Sequence, residues 1–286
     1  MRLTFSAGQV RFLGESGDDY VVGTARRNGD GNFRMLRVTP ADERTTLFTD
    51  VPIWVLTLSQ DDLQLIRPRT LVKERKTALV VRNAEDGTVQ TRRTFAGYVN
   101  VLDADEGRMV LGGWGPNRTF WWDTADDSTE KIRDRVGYAA DIRADRLAVF
   151  TKDPYRGGCS VTSSLGDPGT TLWRSCRQRV YDFAPAGTRM ATVHLLSDGI
   201  GPDEITLRRA GGKALVRYTT GWFGAVSWES DASLLLEAHG KKKSALVRCQ
   251  DTDCELATDP TDTQVPRPVS RSSALRTAPG ASSQMK

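Results

Sequence analysis

The amino-acid sequence predicts an all-β protein: a single β-propeller of about six blades, each with four short antiparallel strands. Three observations support this prediction. A pattern of apolar strand, polar turn and second apolar strand recurs every 41 to 45 residues. Each copy is followed by a second hairpin before the next copy begins. No stretch of the chain has the sustained i, i+3, i+4, i+7 apolar spacing that is typical of an amphipathic helix.

The first half of each blade is the most regular part of the repeat. In every copy an apolar strand leads into a turn rich in Asp, Gly or Ser, and a second apolar strand follows, as in residues 98–111. When the last apolar residue before the turn is taken as an anchor, successive anchors are 45, 43, 41, 41 and 45 residues apart. The six anchors are Leu13, Leu58, Val101, Ile142, Phe183 and Trp228.

The second half of each blade is a further hairpin. Residues 33–38 with 45–48, and residues 204–208 with 214–218, are two examples. The linkers contain Asp-Gly, Gly-Gly or Asp-Pro-Gly, which supply a positive φ or a preset turn. Four strands in 41 to 45 residues is the period of a propeller blade. The competing all-β architecture, a two-sheet sandwich, does not require strands in blocks of four.

The copies resemble the blades of TolB-like and WD-type bacterial propellers. Residues 103–110 and 184–191 are the closest matches, and Trp121-Trp122-Asp123 is similar to the third strand of such blades. The resemblance covers residues 9–258 and implies the fold, whereas the function stays open because propellers host unrelated activities. The Gly-His and Trp-Asp pairs of eukaryotic WD repeats do not occur in order. Six blades are visible, and a seventh could lie upstream of Met1.

The composition predicts one folded domain and a tail. The formal net charge of +4 is small for 286 residues, which argues against a nucleic-acid or anionic-membrane partner. We expect residues 1–259 to form the propeller and to be monomeric. Residues 260–286 are dominated by Pro, Ser, Thr, Ala and Gln without apolar periodicity, so we expect them to be disordered.

The four cysteines form two close pairs, Cys159 with Cys176 and Cys249 with Cys254. Each pair brackets a segment with the pattern of strand, turn and strand. Opposed residues of an antiparallel pair have Cβ atoms roughly 4.5–5.5 Å apart, which is near the separation that a disulfide needs. We therefore expect two disulfides. The alternatives are four reduced, buried thiols and a zinc site completed by histidine.

Disulfides would place the protein in an oxidising compartment, so we expect it to be exported to the cell envelope or beyond. The first eight residues, MRLTFSAG, lack the apolar core of a secretion signal. No run of the sequence approaches the 18 or so apolar residues of a spanning helix. A signal or anchor would then be missing from this sequence. The alternative is a cytoplasmic protein.

The sequence contains no constellation of catalytic residues. The only two histidines, His194 and His239, are isolated in apolar strand contexts, and no Gly-x-Ser-x-Gly or Walker motif is present. Paired acids such as Asp103 and Asp105 fall in turns, where Asp is favoured for local hydrogen bonds. Their spacing does not match a twelve-residue calcium loop. We expect no catalytic residue, no metal and no cofactor.

Aromatic residues in Gly-rich segments are the candidates for binding. Trp114 and Arg118 lie in Gly112-Gly113-Trp114-Gly115-Pro116-Asn117-Arg118, and Trp222 lies in Thr220-Gly221-Trp222-Phe223-Gly224. Aromatic side chains beside Arg at the ends of strands suit a recognition surface. The alternative is that these aromatic rings fold over the ends of blades and serve packing alone.

We interpret the chain as a non-enzymatic binding or scaffold protein that uses one face of the propeller to recognise a protein or a small ligand. The alternative is a hydrolase or lyase with its site in the central channel. Converging His, Asp, Glu and Arg side chains in the channel would favour the enzyme.

Overall fold

Four consecutive strands form each of six antiparallel sheets, and the sheets are the blades of a ring. The computed structural model describes residue 5, residues 8–26 and residues 31–262. Within each blade the strands lie in sequence order. The first strands of blades 1 to 4 contact the first strands of the next blades, so the first strands are the innermost. The predicted six-bladed propeller is confirmed, and the two-sheet sandwich is excluded.

The first three blades contain twelve strands. Blade 1 consists of β1 Gln9–Ser16, β2 Asp19–Ala25, β3 Arg34–Val38 and β4 Arg44–Thr49. Blade 2 consists of β5 Thr57–Leu58, β6 Gln64–Leu71, β7 Lys76–Asn83 and β8 Val89–Ala96. Blade 3 consists of β9 Tyr98–Asp105, β10 Arg108–Trp114, β11 Arg118–Asp123 and β12 Thr129–Arg133.

The last three blades contain thirteen strands. Blade 4 consists of β13 Gly137–Asp141, β14 Arg146–Phe150, β15 Ser160–Ser163 and β16 Trp173–Ser175. Blade 5 consists of β17 Gln178–Phe183, β18 Arg189–His194, β19 Glu204–Arg209 and β20 Ala214–Thr219. Blade 6 consists of β21 Trp222–Ser230, β22 Ser233–His239, β23 Lys243–Gln250, β24 Asp253–Leu256 and the short β25 Thr261–Asp262. Three 3₁₀ helices, Ile53–Val55, Val72–Glu74 and Pro154–Arg156, lie in connections.

The second strand of a blade is buried on both faces because it lies between two neighbouring blades. In β10, Met109 and Leu111 pack into a cluster with blade 2, whereas Val110 packs into a cluster with blade 4. Successive side chains of a strand point to opposite faces. An almost continuous apolar run therefore supplies two interfaces from one strand, which explains why these strands do not alternate between apolar and polar residues.

Five of the six junctions between neighbouring blades are filled by apolar clusters with members from both blades. At the junction of blades 2 and 3, the Phe95 ring contacts the Trp122 ring edge-on, with centroids 5.4 Å apart. Trp122 is completely buried, and its indole nitrogen donates a hydrogen bond to Asp127 (2.9 Å). Burial of this apolar surface supplies the main driving force that holds the blades together.

The junction between blades 6 and 1 is different. Among residues 8–26 and 31–262, no apolar cluster joins these two blades. On β1, Val10 and Phe12 leave 46% and 59% of their surfaces exposed. On the face of blade 6 that points away from blade 5, Arg248 forms ion pairs with Glu229 and Glu255. No strand from the start of the described chain completes blade 6, because every blade consists of consecutive strands.

Both expected disulfides are present. Cys159 is bonded to Cys176 and Cys249 is bonded to Cys254, with sulfur atoms 2.02 and 2.06 Å apart. Cys249 and Cys254 are directly opposed on β23 and β24. The hairpin geometry inferred from the cysteine spacing is therefore confirmed, and the alternatives of free thiols and a zinc site are excluded for this structure.

The expected tail, residues 260–286, falls mainly outside the described part of the chain, which ends at residue 262. Within that part, Thr261 and Asp262 pair with Ser244 and Lys243 as β25 along the edge of β23.

Blades 3 and 4 approach each other too closely for a side chain at Gly112. A Cβ atom there would lie 2.1 Å from the carbonyl oxygen of Gly137. We predict that Gly112→Ala lowers the free energy of unfolding by about 1–3 kcal/mol, because backbone atoms of two blades must separate. Urea unfolding measures this change. Gly211→Ala is the matched control, because nothing lies within 4 Å of its Cβ position. Equal losses in the two variants would contradict the prediction.

Candidate functional site

The two ends of the ring have different chemistry because they are built from different loops. One end contains the turns between the first and second strands and between the third and fourth strands of each blade. We call it the acidic face. The opposite end contains the connections between the second and third strands and between successive blades. We call it the aromatic face. Each face consists of the residues of these turns or connections together with the strand residues that directly flank them.

The loops of the acidic face hold fourteen acidic residues and two basic ones, Arg143 and Lys213. Many of these carboxylates close their own turns. Asp86 accepts hydrogen bonds from the backbone nitrogen and hydroxyl of Thr88, and these bonds lower its pKa. The fourteen are Asp18, Asp42, Glu43, Asp61, Asp62, Glu85, Asp86, Glu106, Asp126, Asp127, Asp145, Asp167, Asp231 and Asp251. The requirement for turn-forming residues thus produces a negatively charged face.

Exposed apolar side chains are concentrated on the aromatic face. The described part of the chain has fourteen exposed large hydrophobic residues, and eight of them lie at this end. Only Leu63, Val89 and Leu172 lie at the acidic face. The eight are Trp54, Val55, Val72, Tyr98, Trp114, Tyr155, Leu196 and Ile200. Single exposed hydrophobic residues are normal on protein surfaces, but an uneven distribution of this kind indicates an interaction surface.

Trp114 and Arg118, both singled out from the sequence, lie in one hairpin of blade 3. Trp114 ends β10 directly opposite Tyr98, the first residue of β9, and the two side chains are 42% and 43% exposed. The guanidinium of Arg118 stacks over Phe120 and donates a hydrogen bond to the carbonyl of Ala96 (3.1 Å). The structure therefore holds one aromatic pair and one cation together at the aromatic face.

Trp222, the third candidate, lies in blade 6, three blades away from Trp114 in the ring of six. Its ring stacks on His239 with centroids 3.5 Å apart and an interplanar angle of 2°. His239 is buried, and its Nε2 lies 3.1 Å from a carboxylate oxygen of Glu237. The structure thus places Trp222 as a half-buried cover over a histidine, on the opposite side of the ring from the other two candidates.

Toward the acidic face, polar side chains from the inner parts of four blades meet. Asp103, Asp141 and Asp182 come from the first strands of blades 3, 4 and 5, and Gln60 follows the first strand of blade 2. The amide nitrogen of Gln60 donates to Asp103 (2.6 Å) and to Asp141 (3.0 Å). The backbone nitrogen of Ile142 also donates to Asp103 (2.6 Å). Asp103 therefore connects three neighbouring blades.

Two of these carboxyl groups hold protons at unusually high pH. Burial, together with the negative charge of Asp141, raises the pKa of Asp103 to about 7 and the pKa of Asp182 to about 7. Hydrogen bonds from the backbone nitrogens of Ile142 and Ala104 oppose the shift at Asp103. Burial outweighs these hydrogen bonds because removal of a carboxylate from water strongly disfavours its charged form.

A calcium role for Asp103 and Asp105 has no support in the geometry. Asp105 is engaged by the guanidinium of Arg143, with two hydrogen bonds of 2.8 and 3.1 Å. In the part of the chain that the structure describes, no group of three His, Cys, Asp or Glu residues could hold a metal ion. The same part contains no helix that is long and apolar enough to cross a membrane.

Sequence reasoning missed Tyr98, Trp54 and Tyr155, which dominate the aromatic face with Trp114. Tyr98 begins a repeat and was treated as an ordinary strand residue. Its exposure follows from its position at the end of an inner strand, where the neighbouring blade no longer covers it. The sequence repeat could have predicted the exposure of Tyr98, because the first residue of every repeat lies at the same end of the ring.

Comparison with known proteins supports the fold and does not identify a function. No protein-family model matches the chain, and no curated protein matches it. Among solved structures, an uncharacterized protein of Listeria monocytogenes is 15% identical, with a TM-score of 0.56 over 87% of this chain and 82% of that one. TolB from Acinetobacter baumannii is 12% identical, with a TM-score of 0.53 over 88% of this chain and 63% of TolB.

A third solved structure is similar to this chain over a comparable length. The β-propeller domain of the Trilobed protease from Pyrococcus furiosus, described as having an open velcro topology, is 11% identical with a TM-score of 0.59. The alignment covers 85% of this chain and 78% of that domain. These similarities confirm the resemblance to TolB-like propellers at the level of the fold.

The raised carboxyl pKa values predict a pH dependence of stability. The unfolded chain releases these protons near pH 4, whereas the folded protein holds them up to about pH 7. The folded state thus binds more protons between these pH values, so the free energy of unfolding falls as pH rises through this window.

We predict that Asp103→Asn reduces this fall, because the amide cannot ionise. Urea unfolding at pH 5, 7 and 8.5 compares the variant with the wild type. Asp18→Asn, an exposed turn residue on the same face, is the control and should follow the wild type. An unchanged slope for Asp103→Asn would show that burial of Asp103 does not control the pH dependence.

Proposed function

We propose that the protein is a non-enzymatic binding protein whose aromatic face binds a protein partner. The observation that carries this proposal is the concentration of exposed aromatic and apolar side chains at one end of the ring, centred on Tyr98 and Trp114. Trp, Tyr and Arg are the residues that most often dominate the binding energy of protein interfaces. Arg118 supplies the cation beside the aromatic pair.

The charge of the two faces supports the same assignment. The described loops of the aromatic face contain nine basic and six acidic residues, whereas the acidic face carries a large excess of carboxylates. A surface with apolar anchors and mixed charge can exclude water from its centre and form ion pairs at its rim. The acidic face lacks such anchors and is better suited to keep the protein soluble.

The alternative function, a hydrolase or lyase centred on the channel, is disfavoured by the positions of its candidate groups. His194 and His239 lie at the ends of β18 and β22, toward the aromatic face. The carboxyl groups with raised pKa, Asp103 and Asp182, lie toward the acidic face. General acid–base catalysis needs these groups within hydrogen-bond reach of one substrate. Their separation along the strands does not provide this arrangement.

The two disulfides support a location in an oxidising compartment, outside the cytoplasm. Both bonds close short hairpins within single blades, so they form without rearrangement of the ring. A binding protein that works outside the cytoplasm would gain resistance to local opening at these two hairpins.

We predict that protein purified from its native host under acid trapping has no free thiols. Mass spectrometry of unreduced peptides should then recover the pairs Cys159–Cys176 and Cys249–Cys254. Protein expressed in a reducing cytoplasm is the control and should contain thiols that react with iodoacetamide. Four reactive thiols in protein from the native host would contradict export and favour the cytoplasmic alternative.

Site-specific photo-crosslinking in the native host tests the binding face. We predict that a benzoyl-phenylalanine residue at Trp114 or Tyr155 forms an adduct of one defined mass. Leu63, which is 60% exposed on the acidic face, is the matched control position and should give no such adduct. Tyr98→Ala should weaken the adduct formed from Trp114 by about tenfold, the effect expected for a hot-spot aromatic residue. Equal adducts from Leu63, or none from either face, would contradict the proposal.

A further inference from the structure

A cavity of about 490 Å³ opens between blades 4 and 5, and its lining side chains are all polar or charged. Three of them are arginines: Arg177, Arg208 and Arg217. This volume lies within the range of small-molecule sites in proteins. The cavity borders the aromatic face, because Arg177 and Asp203 lie in its connections, but none of the exposed aromatic residues of that face lines it.

The cavity exists because the outer half of blade 4 is short. Strands β15 and β16 contain four and three residues, whereas β19 and β20 of blade 5 contain six each. Blade 5 therefore extends beyond its neighbour. The wall that it presents there includes polar residues: Thr192 and Thr206 are buried, with 0% and 2% of their surfaces exposed.

Arg208 is held in this wall by neutral acceptors. Its Nε and Nη2 donate to the side-chain oxygen of Gln178 (3.0 and 2.5 Å), and its Nη1 donates to the carbonyl of Gly212 (2.8 Å). Nε also contacts the hydroxyl of Thr192 at 3.2 Å. None of these partners is a carboxylate. The guanidinium keeps N–H groups available for a ligand because a guanidinium has five of them.

The remaining charges leave a positive excess in the cavity. Glu204 is engaged by Arg217 at 3.5 Å and by the hydroxyl of Thr206 at 3.3 Å. Arg177 is exposed, and its guanidinium has no hydrogen-bond or ion-pair partner among the described residues. Burial and the positive charge of Arg217 lower the pKa of Arg208, and the negative charge of Glu204 opposes this shift without cancelling it.

The wall on the side of blade 4 is fixed covalently. Cys176 lies between Ser175 and Arg177, which both line the cavity, and it is bonded to Cys159. At the other end, Trp173 packs against Gly212, where a Cβ atom would lie 2.1 Å from the indole ring. The disulfide and this close approach hold both walls before any ligand arrives, and such preorganisation reduces the entropic cost of binding.

We propose that this cavity is a binding site for a small hydrophilic monocarboxylate, of the size of a sugar acid. Arg208 and Arg177 bind the carboxylate, since guanidinium groups pair with carboxylates through two parallel hydrogen bonds. Gln178 and Ser175 form hydrogen bonds with hydroxyl groups of the ligand. Asp203 and Glu204 at the cavity disfavour a phosphate dianion, because like charges repel. This function is additional to partner binding and does not depend on it.

Isothermal titration calorimetry with D-glucuronate and D-gluconate tests the site, with methyl glucoside as the neutral control. Each carboxylate should bind one site per protein, and methyl glucoside should bind at least tenfold more weakly. Arg177→Gln and Arg208→Gln should each weaken binding by about tenfold or more, the effect of losing a charged hydrogen bond. Arg177→Gln keeps the test valid if Arg208→Gln fails to fold, because the exposed Arg177 side chain has no hydrogen-bond or ion-pair partner among the described residues.

Two matched controls separate this site from general attraction to a basic protein. Arg209→Gln removes the same charge from the neighbouring exposed position of β19 and should leave binding unchanged. Cys159→Ser with Cys176→Ser should weaken binding, whereas Cys249→Ser with Cys254→Ser should not. Failure of both carboxylates to bind would overturn the proposal. Equal loss in Arg209→Gln, or equal binding of methyl glucoside, would also overturn it.

Discussion

Every blade of this protein depends on one constraint: a strand has two faces, and a blade inside the ring must bury both of them. The second strands meet this constraint with nearly continuous apolar runs such as β10, in which alternate residues enter different clusters. The first and fourth strands have more polar residues because the channel and the outer rim are open to water. The clusters between blades, rather than the sheets themselves, therefore hold the architecture together.

The fold was predictable because this constraint produces a pattern of apolar and turn residues that repeats along the sequence. Anchors such as Val101 and Phe183 recur at blade length, and turn residues mark where each hairpin closes. The disulfides were predictable for the same reason, since Cys249 and Cys254 flank one turn. The functional surface was predictable only in part. Trp114 and Arg118 are brought together by a hairpin, which is local in sequence, whereas Trp222 lies across the ring.

The features that sequence reasoning missed all depend on contacts between blades. The high pKa of Asp103 arises from its burial between blades and, to a smaller extent, from the negative charge of Asp141 in blade 4. The cavity beside Arg208 exists because two strands of the preceding blade are short, which no local pattern around Arg208 records. The charge difference between the two faces is simpler. It follows from the use of Asp in turns and becomes visible once every loop is assigned to an end of the ring.

The junction of blades 6 and 1 determines which blades have apolar contacts on both sides and which have them on one side only. Five apolar joints link the blades in a row, and among the described residues no apolar joint links the last blade to the first. Energetically such a molecule resembles a linear array bent into a circle, whose stability is approximately a sum of nearest-neighbour terms with two free ends. Blades 1 and 6 each have one such joint, whereas the four inner blades have two. Fraying therefore begins at the terminal blades, and blades 3 and 4, furthest from both ends, are the last to lose their neighbours.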